Sequence, residues 1–373
     1  MTLVVLSGCT TASIKQNAPD ENVVILINGD HPHVEDGIVS ARELFESGKD
    51  AFKNTDFEEC IRSYDQLIEY FPQSKWTTTG YFNRGLCLQE LKKYSRAVKD
   101  FTRYIDATRS PKNRQDGRIR LGFNLVMDGQ FEAALKLYES TLESPNIRGF
   151  LRSECLLRRG MAKAGMGDAA GADADYERSL YEIKHASDGL TKGNALAAEI
   201  LFRRGELYGR LMARIEFKLP KERMKSDLHK KMLLFRKSQR SYTESINIQN
   251  PFWSTAAGTR AGELFELFYR ALAKAETPST FTEEMTAYYH AEMNRKILPL
   301  LRESIEIYEL NLAMSMRLGI HNDWVKKSEA KLEDLRQMYE DKTKRLNDHP
   351  TVEAPAEGSS PSDTHSKREK KKH

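Results

Sequence analysis

Apolar residues recur three and four positions apart through most of the chain, and short polar or glycine-bearing steps interrupt the stripe at regular places. The stretch ELFESGKDAFKNTDFEECIRSYDQLIEYFP reads as two amphipathic helices folded back at Asn54-Thr55-Asp56, and Asp128-Gly129 and Met166-Gly167-Asp168 make the same kind of break further on. Pro72 and Pro145 close two of these pairs, because proline cannot continue a helix. The pattern predicts helical hairpins in series and an all-α chain. One run lies outside it: Val23-Val24-Ile25-Leu26-Ile27 is β-prone and is a candidate internal occupant of whatever groove the hairpins form.

The hairpins repeat. Glycine recurs at Gly48, Gly85, Gly122 and Gly160, with spacings of 37, 37 and 38. Nine residues after each come Phe57, Tyr94, Phe131 and Ala169; twelve after come Cys60, Ala97, Ala134 and Ala172; sixteen after come Tyr64, Phe101, Tyr138 and Tyr176. Small residues let two helices approach closely, and an aromatic one turn further on fills the space beside the contact. Gly205 in EILFRRGELYGR opens another first helix, but its partner is delayed until FRKSQRSYTESINIQNP, which predicts an insert of about 20 residues from Ala213 to Leu233. Gly262 opens a further one, paired with a long second helix. A charged last helix over about 323–346 is expected to cap the stack, since a solenoid needs a polar end. Beyond it, 347–373 is rich in Pro, Ser and Gly, ends in a basic run, and is expected to be disordered.

This constellation of glycine, small residue and aromatic resembles the tetratricopeptide repeat, whose units run to about 34 residues. The resemblance implies an all-α, right-handed superhelix of about six hairpins over 38–346. It also implies an inner face, lined by the first helix of each hairpin, where partners bind. Three residues before the glycines stand Phe45, Phe82, Ile119, Leu157 and Phe202; one residue after stand Lys49, Leu86, Phe123, Met161 and Glu206. In the family these positions line the groove. The subgroup that clamps a partner's C-terminal carboxylate places Lys and Asn there, whereas an apolar lining either suits an amphipathic helix or an extended apolar segment or packs within a tightly wound superhelix.

Composition changes this picture little. Hydrophobic residues make up 39% and charged residues 30%, with 58 basic against 54 acidic, so a net charge of +4 does not select nucleic acid as a partner. Local charge matters more. The insert carries Arg214, Lys218, Lys221, Arg223, Lys225, Lys230 and Lys231 against Glu216, Glu222 and Asp227, either a solvated face or a docking surface for an acidic partner or anionic lipid. Cys9, Cys60, Cys87 and Cys155 lack the spacings of a zinc or redox site; Cys60, Cys87 and Cys155 are expected as buried thiols rather than a disulfide framework. His31 and His33 sit in a loop-like DHPHVEDG, and no metal is expected there. Phosphate-cradling loops, HExxH and Gly-x-Ser-x-Gly are all missing, so no catalytic residue, cofactor or metal is assigned.

At the N-terminus Leu6-Ser7-Gly8-Cys9 resembles the lipobox of bacterial lipoprotein signals. That likeness reads 1–9 as the remnant of an export signal and 10–37 as a tether, with Cys9 acylated; Thr10 directly after it points to the periplasmic face of the outer membrane. Over about 38–110 the chain is similar to the tetratricopeptide lipoproteins of the outer-membrane β-barrel assembly machine. NPFWSTAAGTRAGELFELFYRALAKAE looks more like tetratricopeptide proteins of gliding and predatory bacteria. The expectation is a lipid-anchored, non-enzymatic scaffold binding protein partners in an envelope complex. A cytoplasmic adaptor and a peptidoglycan-associated module are the alternatives, and oligomeric state stays open.

Overall fold

The computed structural model describes residues 4–5, 23–26, 37–186 and 193–348. Three short strands, β1 (Val4–Val5), β2 (Val23–Leu26) and β3 (Gly37–Ser40), form a sheet in that order, β1 parallel and β3 antiparallel to β2. The β-prone run is therefore paired on both edges as the middle strand, with Val23 opposite Ser40 and Leu26 opposite Gly37. Among the described residues everything else regular is helix, and the chain divides into two compact units, 1–190 and 191–373.

Unit 1 holds four hairpins: α1 (Ala41–Lys53) with α2 (Phe57–Tyr70), α3 (Thr77–Glu90) with α4 (Tyr94–Ala107), α5 (Pro111–Met127) with α6 (Phe131–Leu142), and α7 (Gly149–Gly165) with α8 (Ala169–Ala186). Local chemistry starts and stops them. Ser40 and Glu43 form a reciprocal capping box on α1, Glu43 N–H donating to Ser40 Oγ at 3.2 Å and Ser40 N–H donating to Glu43 Oε2 at 2.8 Å. Asp56 caps α2 and Ser110 caps α5 ahead of Pro111. Seven residues after each repeat glycine the backbone turns left-handed, at Thr55 (φ 60°), Lys92 (φ 57°), Gly129 (φ 78°) and Gly167 (φ 89°). Two of those four positions are glycine, the residue that reaches this region without penalty.

The repeat glycines touch the aromatics sixteen residues on. A methyl group at Gly48 would lie 2.7 Å from Tyr64 Cε2, one at Gly85 2.9 Å from Phe101 Cζ, and one at Gly160 2.7 Å from Tyr176 Cε1; Gly122 abuts Tyr138 in the same way. Tyr64, Phe101 and Tyr138 are wholly buried and Tyr176 nearly so, with Ala97, Ala134 and Ala172 beside them at 0% exposure. This is the tetratricopeptide arrangement: an all-α stack in which the absent Cβ lets one helix close on the ring of the next.

One cysteine expectation is corrected. Cys60 and Cys87 are joined in a disulfide between α2 and α3, Cα to Cα 6.3 Å, rather than standing as separate thiols. Cys60 occupies the small-residue position and Cys87 follows Gly85 by two, so the close approach of adjacent hairpins brings them together. Cys155 is buried and free, its thiol pushed up to about 12 chiefly by burial.

Unit 2 uses the same contact with longer helices: α9 (Ala195–Ala213), α10 (Lys221–Asn247), α11 (Pro251–Ala273), α12 (Glu283–Arg317) and α13 (Asp323–Asp348). Methyl groups at Gly205 and Gly262 would lie 2.5 Å from Tyr242 Cε1 and 2.7 Å from Tyr308 Cζ. The basic insert is a loop followed by extra turns at the start of α10. Lys231, one of the insert's cations, is not on its surface: it is buried at 1% exposure and donates to the carbonyls of Met212 (2.9 Å) and Ile215 (2.8 Å), closing the C-terminal end of α9. The stripe Val325, Ser328, Leu332 and Leu335 is the buried side of α13, whose remainder is exposed or half-buried. Cys9 and 349–373 lie outside the described residues, as do His31 and His33.

Candidate partner-binding face

Each repeat glycine sits on the packed side of its first helix, and the residue three before it lies almost above it on that side. Phe45, Ile119, Leu157 and Phe202 are accordingly in the core, 8%, 6%, 0% and 1% exposed. Phe45 packs against Trp76 at 4.7 Å and edge-on to Tyr64 at 5.9 Å; Phe202 lies among Tyr242, Trp253 and Trp324. These four side chains hold hairpins together and present no surface to a partner, which corrects their assignment to an open groove. Phe82 is half-buried on Phe101 (5.5 Å) and Tyr104 (4.8 Å).

The residue after each glycine is rotated about 100° away and stays partly in solvent. In unit 1 these are Lys49, exposed and paired with Glu46 at 2.7 Å, then Leu86, Phe123 and Met161, all half-buried. The first helices are tied side by side beneath this row. Asn124 Nδ2 on α5 donates to Gln89 Oε1 on α3 at 3.1 Å. Arg158 on α7 lays its guanidinium over the Phe123 ring at 4.9 Å and brings Nη1 within 3.3 Å of Met161 Sδ. Arg158 and Gln89 were not legible as site residues, since neither stands at a repeat-defining position. A nearer signal was available in the residues directly before glycine and aromatic: these face each other as Ser47–Ser63 (3.1 Å), Arg84–Asp100 (2.8 and 2.6 Å) and Arg159–Asp175 (2.8 and 2.6 Å). The bidentate pairs fix helix register from beneath the face.

Unit 2 has a different lining at the same positions. Glu206 and Glu263 follow Gly205 and Gly262, and Arg260 bridges them at 3.0 and 2.6 Å. Lys327 on α13 reaches Glu263 at 2.6 Å, and the Trp324 ring lies between Arg260 (5.2 Å) and Lys327 (5.6 Å). Burial alone would raise the Glu263 carboxyl, but hydrogen bonds and charge from Lys327 and Arg260 outweigh it and hold the group below its ordinary range. A cavity of about 260 Å³ opens beside this network, walled by Gly209, Arg210, Ala213, Leu264 and Leu267. At these positions unit 1 carries Leu86, Phe123 and Met161 beside Lys49, whereas unit 2 carries Glu206 and Glu263. Among the described residues no group of three or more His, Cys, Asp or Glu is placed to hold a metal ion, and no helix is long and apolar enough to cross a membrane.

No family model matches the chain. Rat serine/threonine-protein phosphatase 5 is 33% identical over 118 residues, which cover 31% of this chain and 22% of the phosphatase. The chain therefore spans about a fifth of that curated relative. Among solved structures, the C-terminal part of a TPR repeat-containing protein from Cytophaga hutchinsonii shares 14% identity, covering 81% of this chain and 99% of that one with a TM-score of 0.42. The apo form of RapI shares 11%, covering 82% and 99% with a TM-score of 0.46.

Proposed function

We propose that this protein is a non-enzymatic scaffold that holds an apolar segment of a partner protein across the first helices of unit 1. The observation that carries the reading is the row Leu86, Phe123 and Met161, half-buried and apolar in three successive hairpins. A row spaced one hairpin apart is rigid because the glycine contacts and the Arg84 and Arg159 ion pairs fix each helix, so a bound segment meets a surface that needs no reordering. Four core phenylalanine, isoleucine and leucine positions narrow the face relative to the sequence expectation, leaving Phe82 at its edge.

The finer reading is that the scaffold works at the bacterial envelope, fixed by acyl chains on Cys9 to the periplasmic side of the outer membrane. The lipobox-like Leu6-Ser7-Gly8-Cys9 supports it. The Cys60–Cys87 disulfide supports it independently, because such bonds persist in thiol-oxidising compartments and are rare where glutathione keeps thiols reduced. Several acyl chains, at about 0.8 kcal/mol per buried CH₂, would hold the chain far more firmly than one.

A photo-crosslinking side chain at Leu86, activated in cells of the native host, tests the face. A discrete adduct lost with Phe123→Asp and with Met161→Asp, at unchanged helix content, is the expected result. An adduct that survives both changes removes the groove reading. Intact mass of the membrane-extracted protein tests the anchor: an unprocessed, unacylated chain would return the same face to a cytoplasmic adaptor.

A further inference from the structure

The extra turns at the start of α10 are held against unit 2 from one side only. Met224, Leu228 and Phe235 pack toward Phe217, Phe268 and Leu272, and Lys231 is pinned to the end of α9. At about 100° per residue, this leaves the opposite side of the helix, between 225 and 240, facing water. Lys225, Lys230, Arg236, Lys237 and Arg240 are all exposed there. Lys237 lies over the Tyr208 ring at 5.0 Å and Arg240 pairs with Glu244 at 2.8 Å, whereas Lys225, Lys230 and Arg236 have no carboxylate partner among the described residues. The acidic residues of α10 are set aside from this stretch: Glu222 and Glu244 stand beyond its ends, and Asp227, half-buried, is turned toward Arg223 at 3.7 Å.

Within this run of cations sit two aliphatic side chains, Met232 at 38% exposure and Leu233 at 53%. Leu233 falls near the apex of the outward side. A polyphosphate or an acidic protein would use the cations and leave both aliphatics in water, whereas a membrane interface takes cations at the headgroups and aliphatics just beneath them.

We propose that the outward side of α10, from Lys225 to Arg240, docks on an anionic lipid surface, with Leu233 and Met232 entering the headgroup boundary. This surface is distinct from the unit 1 face and does not depend on acylation of Cys9. The buried side fixes the helix in place before contact, so binding orders only exposed side chains. Each cation near an anionic leaflet strengthens association roughly five-fold, and the attraction fades as salt shortens the Debye length.

The test uses the full chain carrying Cys9→Ser, sedimented with vesicles of phosphatidylcholine alone or of phosphatidylcholine with phosphatidylglycerol. Binding to the anionic vesicles only is expected. Lys225→Gln/Lys230→Gln/Arg236→Gln, all at exposed positions, should weaken it on the order of a hundred-fold with helix content unchanged. Leu233→Ser should weaken it less and make the remainder more salt-sensitive. Equal binding to both vesicle types, or a triple variant that binds as the parent does, overturns the proposal. So does the outcome in which a short DNA duplex competes the vesicles off and Leu233→Ser has no effect, which would make the surface a general polyanion patch.

Discussion

Replacing Gly85 by alanine separates packing from helix propensity, because the two pull in opposite directions. In an exposed helix interior the change would stabilise by about 1 kcal/mol. At Gly85 the added methyl would meet Phe101 Cζ at 2.9 Å and both Cε atoms at 3.1 Å. The ring cannot retreat freely: Phe101 is 0% exposed and held edge-on by Phe82 at 5.5 Å. Overpacking of this kind costs about 1–3 kcal/mol, so the net expectation is a loss of up to about 2 kcal/mol. In a unit of this size that is a fall of up to about 8 °C in the first transition of a thermal melt. A double-mutant cycle sharpens the argument. Phe101→Leu alone should destabilise by opening a void, and in that background Gly85→Ala should turn neutral or stabilising, a coupling of about 1–2 kcal/mol. If Gly85→Ala alone raises the melting temperature, propensity governs the position, and the close glycine–ring contact is not what sets the hairpin geometry.

Lys231→Ala would leave the carbonyls of Met212 and Ile215 without their buried donor; a cost of about 2–3 kcal/mol is expected, read by urea unfolding of unit 2 through Trp253 and Trp324 fluorescence. Glu263 has a folded-state pKa below its ordinary value, so its contribution is present above the unfolded pKa and is lost as pH falls through the lower folded one; Glu263→Gln should reduce stability near neutrality and flatten the acid limb of the same fluorescence transition. Iodoacetamide at about pH 8 should leave the folded Cys9→Ser chain unlabelled, add one label after denaturation without reductant, at Cys155, and three after reduction; three without reductant would refute the Cys60–Cys87 bond.

The hairpins of unit 1 were legible because the glycine–ring contact demands both partners at a constant spacing, and nothing else satisfies a helix approach that close. The left-handed turn seven residues after each glycine was half visible: Gly129 and Gly167 signal it, whereas Thr55 and Lys92 adopt it only because the flanking helices impose it. Burial of Phe45, Ile119, Leu157 and Phe202 was one of two readings the sequence left open, beside an open groove. Helical period places a residue on a side, and how far the next helix covers that side depends on winding that one sequence does not state. The Cys60–Cys87 bond escaped for a related reason, since the residues are neighbours across two hairpins and not along either.

Unit 2 shows how much of a repeat is contact and how much is length. Its glycine-to-tyrosine spacings are 37 and 46 residues, against sixteen in unit 1, yet Gly205 meets Tyr242 and Gly262 meets Tyr308 within the range of distances found in unit 1. The added residues enter at the far end of each hairpin, where α10 and α12 begin, and so lengthen the second helix without moving the contact. Such a lengthened end needs its own support, and on α10 Lys231 supplies it by closing α9 from inside. A lengthened end also exposes new surface away from the inner face. On α10 that surface is where the cations and Leu233 stand, so the feature that breaks the repeat spacing is the one that creates a second side for contact.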